Sequence, residues 1–317
     1  MSKQIDFFET KHEVINPVDR LKNYDEEHCW QYDIRLKNYN KDLQDASITQ
    51  QEAKNLKIQD FSFQHIESTD KFKCLQIKQF IERHEWLAKM PNRPTHRFIA
   101  TYKNNIVGAI VMATPNAFSN ILGKDLQHKE KLIARGACIS WSPINTASWL
   151  LMQSIKWMVH NTDYRVFTAY SDVEAKELGT IYQACNFYYL GQNFGAQNMY
   201  LDPNNSSKGW FSDREFRKQS KYRIYAANIG IAGNEFDKYL GKWTPKWDYM
   251  PEGMKKAIKD EEEKYRKSCL VRKTKPKHKY AYILGKDKKE TKELNRIFFK
   301  NNTKLDVFNY PKERGKA

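Results

Sequence analysis

The stretch RGACISWSPINTASWLLMQSIKWM (Arg135–Met158) puts a guanidinium early in an apolar run, and Asn145, Thr146 and Ser148 where a helix begins. Free N–H groups at a helix start, together with the helix dipole, form an anion site. The three side chains add donors, and an arginine can grip a phosphate or carboxylate with two prongs. Simple capping explains the same residues without a ligand, and Arg135 can equally pair with Asp172. Asp172 ends the run VFTAYSD at the carboxyl end of a strand, the edge that faces the ligand crevice in open α/β sheets. A carboxylate there acts as a base or orients an amine; as a helix cap it does neither. His84, in IERHEWLAK, titrates near neutral pH, and His96 in PTHRF competes for the same proton-handling role. No histidine lies four residues beyond His84, so HEW is not a zinc motif. Trp86, Trp141, Trp149 and Tyr170 surround these segments, either as stacking surfaces for an unstacked base or as core. Late in the chain Arg272, Lys273, Lys275, Lys277, His278 and Lys279 lead into Tyr280. That run suits phosphate contacts plus a stacking ring, or else a solvated face.

These groups need a scaffold, and the apolar periodicity outlines one. IQDFSFQHI alternates as a strand. The next helix carries Phe72, Leu75, Ile77, Phe80 and Leu87 near helical spacing, with Ser68 or Thr69 as its cap. HRFIATYKNNIVGAIVMATP is two apolar runs around Lys103-Asn104-Asn105, a hairpin. Then follow a strand (KLIARGACISW), a helix (NTASWLLMQSIKWMVHN), a strand (YRVFTAYSD), a short helix (EAKELGTIYQACNF) and a closing strand pair (YYLGQNFGAQNMYL). The order β-α-β-β-β-α-β-α-β-β over residues 58–202 implies an α/β fold with a mixed sheet and helices on both faces. Residues 1–57 read as an N-terminal extension. Residues 203–317 read as a basic C-terminal segment, helical with one strand at KHKYAYILG.

The balance of charge points to the partner. The net charge of +16 indicates an anion, and nucleic acid fits better than membrane because no amphipathic anchor stands out. Most of the excess lies late: residues 255–317 hold 21 Lys and Arg against 9 Asp and Glu. Five scattered cysteines, with no CxxC and no Cys/His spacing for zinc, read as reduced thiols and predict no metal. The start MSKQIDFFETKHEV has no apolar h-region, and no apolar run approaches a bilayer span. The expectation is a cytoplasmic protein.

The element order is that of the GNAT acyltransferase fold, and IYQACNFYYLG resembles the helix–turn–strand near the end of many GNAT domains. Read together, RHEWLAKMPNRPTHRF, NIVGAIVMATP, ARGACISWSPINTASWLL, AYSDVEAKELGTIYQACNFYYLG and KPKHKYAYILG resemble the phage Mom family, GNAT-like enzymes that modify adenines in phage DNA and so block restriction. The resemblance covers roughly 80–202 and 275–312. It implies a transferase that places a small acyl-derived, carbamoylmethyl-like group on the N6 amine of adenine in double-stranded DNA. It further implies that Arg135, Asn145, Thr146 and Ser148 hold the donor, acetyl-CoA or another acyl donor, while His84 and Asp172 manage protons. Tyr182 takes the place of the GNAT tyrosine that protonates a leaving thiolate, although a helix tyrosine also packs as core. The Q/R-x-x-G-x-G/A loop that holds the pyrophosphate of acetyl-CoA is absent, and WSPINTAS stands in its place. Two other readings are a GNAT N-acetyltransferase acting on a protein or small amine, and a non-catalytic DNA-binding protein on a GNAT scaffold. Tight acetyl-CoA binding without DNA marks the first, and DNA binding without a mass change marks the second.

Overall fold

The computed structural model describes residues 29–192, 195, 197–242 and 244–312. In chain order the elements are α1 (Trp30–Asp45), α2 (Gln50–Asn55), β1 (Ser62–Ile66), α3 (Lys71–His84), β2 (Pro94–Tyr102), β3 (Asn105–Ala113), β4 (Glu130–Cys138), α4 (Thr146–Asn161), β5 (Val166–Ser171), α5 (Thr180–Ala184) and β6 (Tyr188–Tyr189). There follow β7 (Asn198–Leu201), β8 (Phe211–Ser212), α6 (Gln219–Asn228), α7 (Gly233–Asp237), α8 (Glu252–Ser268), β9 (Leu270–Lys273), β10 (His278–Ile283) and α9 (Lys288–Asn301).

Local chemistry explains much of this. Lys103 and Asn104 both take positive φ, 45° and 65°, as a two-residue hairpin turn requires. In α4 the apolar residues Leu150, Leu151, Ile155, Met158 and Val159 fall on one face and are buried. The helix α3 starts at Asp70, whose carboxylate accepts the Lys73 N–H at 2.8 Å, and not at Ser68 or Thr69. Its buried face is Ile77, Phe80, Ile81 and His84, at i, i+3, i+4 and i+7. Phe72 and Leu75, expected on that face, are exposed because they lie off this stripe, and Leu87 is exposed beyond the end of the helix at His84.

The main sheet has seven strands in the order β1-β2-β3-β4-β5-β10-β6. Neighbours are antiparallel except β4 and β5, which run parallel. The chain is therefore α/β with a mixed sheet. Both α3 and α4 pack on β2, β3 and β4. Seven consecutive buried residues in β3, Val107–Ala113, show that both of its faces are covered.

The chain divides into two compact units, Met1–Phe194 with Lys277–Ala317, and Gly195–Pro276. This differs from a boundary at 202/203 in two ways. The expected closing pair does not form: β6 stays in the main sheet, while β7 pairs with β8 and β9 in a separate three-stranded sheet. The place beside β5 is filled by β10, with Tyr280 opposite Ala169 and Ile283 opposite Val166. A strand with partners on both sides pairs the backbone groups that point to each side, whereas β5 without β10 would leave those on one side of its end unpaired. The smaller unit has its own cores, one around Tyr222, Tyr225, Phe236 and Ile258 and another around Tyr200, Phe211 and Phe216.

The first 28 residues of the supposed extension lie outside the described residues. The remainder is not an appendage. Tyr39 and Leu43 of α1, with Ala46, Ile48 and Ala53, belong to the main hydrophobic core. Among the described residues no helix is long and apolar enough to cross a membrane.

Candidate active site

The strands β4 and β5 pair for four residues only, from Glu130↔Val166 to Ile133↔Ala169. A bulge then interrupts β4: Met112 faces Ile133 while Val111 faces Arg135, leaving Ala134 as the extra residue. Beyond it, β4 pairs with β3 alone, and the end of β5 pairs with β10 alone, Tyr170↔Lys279 and Ser171↔His278. The two strands part, and the gap becomes a cavity of about 430 Å³. Its walls are Gly136, Ala137 and Cys138 of β4, Tyr170 and Ser171 of β5, the start of α4, the segment Lys176–Ile181 and Tyr182. From α1 and the residue before it come Cys29, Gln31, Tyr32 and Arg35, and from the end of α3 comes Glu85.

Two carboxylates share this space. Glu85 is the residue just past α3, with extended backbone (φ −106°, ψ 136°), so its side chain leaves the helix and meets the cavity. The Leu87 N–H donates to its Oε2 at 3.0 Å, and Arg135 Nε is 3.9 Å from the same oxygen. Burial pushes the Glu85 carboxyl up to about 7; Arg135 opposes the rise and Glu177 adds to it. Glu177 is held at both oxygens, by the Trp86 indole N–H at 3.0 Å and by the Asp172 backbone N–H at 3.0 Å. Burial raises its pKa as well. Burial first, then the two glutamates, drive the Tyr182 phenol upward, so it keeps its proton. Cys138 is likewise a thiol, pushed up to about 11 by burial.

The residues singled out in the sequence fall into three groups. Asn145, Ser148 and Tyr182 line the cavity. Asn145 occupies the N-cap of α4 without making a side-chain capping bond, while Ser148 donates to the Asn145 carbonyl at 3.0 Å. Thr146 sits behind them, fully buried, with no partner for its hydroxyl. A second group stands beside the cavity. Arg135 does not line it: its Nε donates to the Lys89 carbonyl at 2.6 Å and its Nη1 to the Ala134 carbonyl at 2.6 Å. It does not pair with Asp172 either. Asp172 caps the short turn that follows it, accepting the Glu174 N–H at 3.0 Å, and its other oxygen is 2.7 Å from Lys277 Nζ. His84 points away from the cavity, buried against Phe80 with its Nδ1 3.6 Å from Asp42. Burial, helped by Arg83 and Arg35, lowers its pKa to about 4, so the imidazole is neutral and a weak base. His96, also lowered to about 4 by burial, belongs to an aromatic cluster with His65, Trp157 and Tyr164.

The basic run forms the third group, and the structure splits it. Arg272, Lys273 and Lys275 are exposed in the smaller unit, where the Arg272 guanidinium lies 5.1 Å from the Trp210 ring centre. Lys277 is committed to Asp172. Lys279 and Tyr280, expected on the surface, are buried because they belong to a strand inside the sheet. Tyr280 donates its hydroxyl to the Leu178 carbonyl and is closed to stacking on a base. Among the other aromatics Trp141 is core, Trp149 packs against it, and Tyr170 lines the cavity.

Residues 68–311 match the Mom protein family. The chain belongs to the Mom protein family. Membership of the Mom family makes it a DNA-modifying enzyme of the phage type, with DNA as its substrate. The Mom match includes both carboxylates, β4, α4, β5 and β10, whereas α1, which supplies Gln31, Tyr32 and Arg35 to the cavity, precedes it. No curated protein matches the chain.

Glu85 and Glu177 escaped sequence reasoning, although Glu85 follows His84 directly and Glu177 lies midway between Asp172 and Tyr182. One signal was present for Glu85. A carboxylate at a helix C-terminus opposes the helix dipole, and an unfavourable charge at an element's end points to a use other than stability.

Proposed function

We propose that the wedge between β4 and β5 transfers a small acyl-derived, carbamoylmethyl-like group to the N6 amine of adenine in duplex DNA, on a GNAT-like scaffold. The observation that carries this reading is a buried carboxyl with a pKa of about 7, Glu85, in one cavity with a phenol, Tyr182. A base matched to neutral pH is what an aromatic amine requires, since its lone pair is delocalised and it must lose a proton as it bonds. The parting of two parallel strands above a helix start, in the element order read from the sequence, supports the GNAT-like scaffold.

Asn145 and the start of α4 suit the anionic end of a donor, because the Asn145 side chain is not used as a cap and the first-turn amides stand beside the cavity. An acyl thioester such as acetyl-CoA would supply an electrophilic carbonyl carbon and a thiol leaving group, which gives an N6-acyl adenine. A carbamoylmethyl group, bonded to N6 through its CH2, would come from a donor that carries the leaving group on that CH2 carbon. Glu85 takes the N6 proton as the new bond to nitrogen forms. Tyr182, held as a phenol, returns a proton to the departing sulfur. Glu177 is fixed by Trp86 and Asp172 and holds the amine by accepting its second N–H. Arg135 positions Glu85 and moderates its pKa.

Mass spectrometry of nucleosides from cells expressing the chain tests the reading. An adenine-derived nucleoside of increased mass is expected, and it should vanish with Glu85→Gln. An unmodified profile from folded protein would count against transfer to DNA and favour a binding protein, and acetylation of a small amine without DNA would favour an N-acetyltransferase.

A further inference from the structure

The rim of the wedge carries two indoles that this chemistry leaves largely unused. Trp30, in the first turn of α1, is 44% exposed, and its ring meets Trp86 edge to face, with centroids 5.3 Å apart and planes at 75°. Trp86 is braced from two sides. Its indole N–H donates to Glu177 at 3.0 Å, and its backbone N–H donates to Gln31 Oε1 at 3.2 Å. Gln31 in turn donates to the His84 carbonyl at 2.6 Å. Gln31, Glu85 and Glu177 all line the cavity. Trp30 therefore packs on Trp86, which is hydrogen-bonded to Glu177 and follows Glu85 directly in the chain.

We propose that Trp30, backed by Trp86, is the platform on which the extruded adenine stacks, with its exocyclic amine directed to Glu85 and Glu177. The inference rests on the adenine-modification reading. An enzyme that works on a base edge takes the base out of the duplex, and an indole face offers the stacking that the base has lost. Paired carboxylates accept hydrogen bonds, so they favour a base with an exocyclic amine over one with a carbonyl at that position. Trp30 precedes the residues matched by the Mom family, and Trp86 lies within them.

The test uses the full chain and three labelled duplexes: one fully paired, one with a single bulged adenine, and one with a single bulged thymine. Fluorescence anisotropy should show tightest binding to the bulged adenine. Trp30→Ala should lose roughly 5- to 150-fold of the preference for the bulged adenine over the paired duplex, the range expected when one base loses its aromatic partner. Trp30→Phe should keep most of it. Both variants should melt near the parent, because the side chain is exposed. A parental preference for bulged adenine in Trp30→Ala, or no preference in the parent, overturns the platform. Failure of the underlying reading looks different. If the parent adds no mass to adenine, that reading falls, while the bulge preference and its dependence on Trp30 still decide the platform. If the parent modifies adenine and Trp30→Ala does so with an unchanged KM for DNA, the platform alone falls.

Discussion

Glu85 is the residue on which activity and stability meet. Its carboxyl is held near 7 by burial, so turnover should rise with pH through about 7 and level off above it. Glu85→Gln should reduce turnover by about 10²–10⁴-fold, the usual contribution of a positioned base, and a pH–rate profile with stopped-quench nucleoside analysis reads both effects. The linkage has a definite sign. The folded pKa lies above the unfolded one, so folding favours the protonated acid, and stability present at about pH 4 is lost as pH rises through about 7. Glu85→Gln should therefore melt above the parent near pH 8 and with it near pH 4. Arg135 acts on the same group. Arg135→Ala removes the cation that lowers the Glu85 pKa, so the activity limb should move to higher pH. Arg135→Lys, which keeps the charge but not the two-pronged hold on Lys89 and Ala134, should move it less. A limb that stays in place in both variants would separate Arg135 from Glu85.

At the scale of elements, β10 decides whether the site exists. It pairs with β5 on one side and β6 on the other, and it fixes the end of β5 where that strand leaves β4. Tyr280 fills the space under the segment before α5 and bonds the Leu178 carbonyl. Gly179 lies against its ring with φ +70°, and a Cβ there would come within 2.5 Å of Tyr280. Only glycine combines that conformation with that approach. Tyr280→Ala should cost about 3–5 kcal/mol, as loss of a buried aromatic does. Tyr280→Phe should cost less, about 0.5–1.5 kcal/mol for one hydrogen bond, because Gln183 Nε2 still donates to the Leu178 carbonyl at 2.9 Å. Urea denaturation measures both. A cost of less than about 1 kcal/mol for the alanine variant would show that β10 is held by its backbone pairing alone.

At the scale of the molecule, the basic run falls in two units, Arg272, Lys273 and Lys275 in one and Lys277 and Lys279 in the other. Removing everything after residue 276 takes away β10 and α9, so the product should fail to fold rather than merely bind DNA more weakly. The DNA footprint is better tested by replacing Arg272, Lys273 and Lys275 together with Gln. They are exposed. If each contacts a phosphate, the slope of log affinity against log salt should shrink by up to about 2.7. Titrations at several salt concentrations read it, and an unchanged slope would move the footprint off this strand.

Short-range pattern determined the hairpin at Lys103–Asn104, the β4–α4–β5 succession and the helix mouth at Asn145, because turn conformation and amphipathic spacing involve residues only a few positions apart. The resemblance carried by RGACISWSPINTAS and YSDVEAKELGTIYQACNF led to the Mom family for the same reason, since those segments are contiguous. Tertiary structure alone decided three things. It placed β10 in the sheet opposite a strand more than 100 residues earlier in the chain, and pairing at that distance leaves no periodic trace in either segment. It brought α1, which looked like an extension, against the cavity, because a polar helix with few apolar positions shows its inward face only when there is a core to meet. It also chose between His84 and Glu85. The last helical residue turns inward to Phe80 and Asp42. The next residue, freed from the helix, has extended backbone and carries its carboxylate into the wedge.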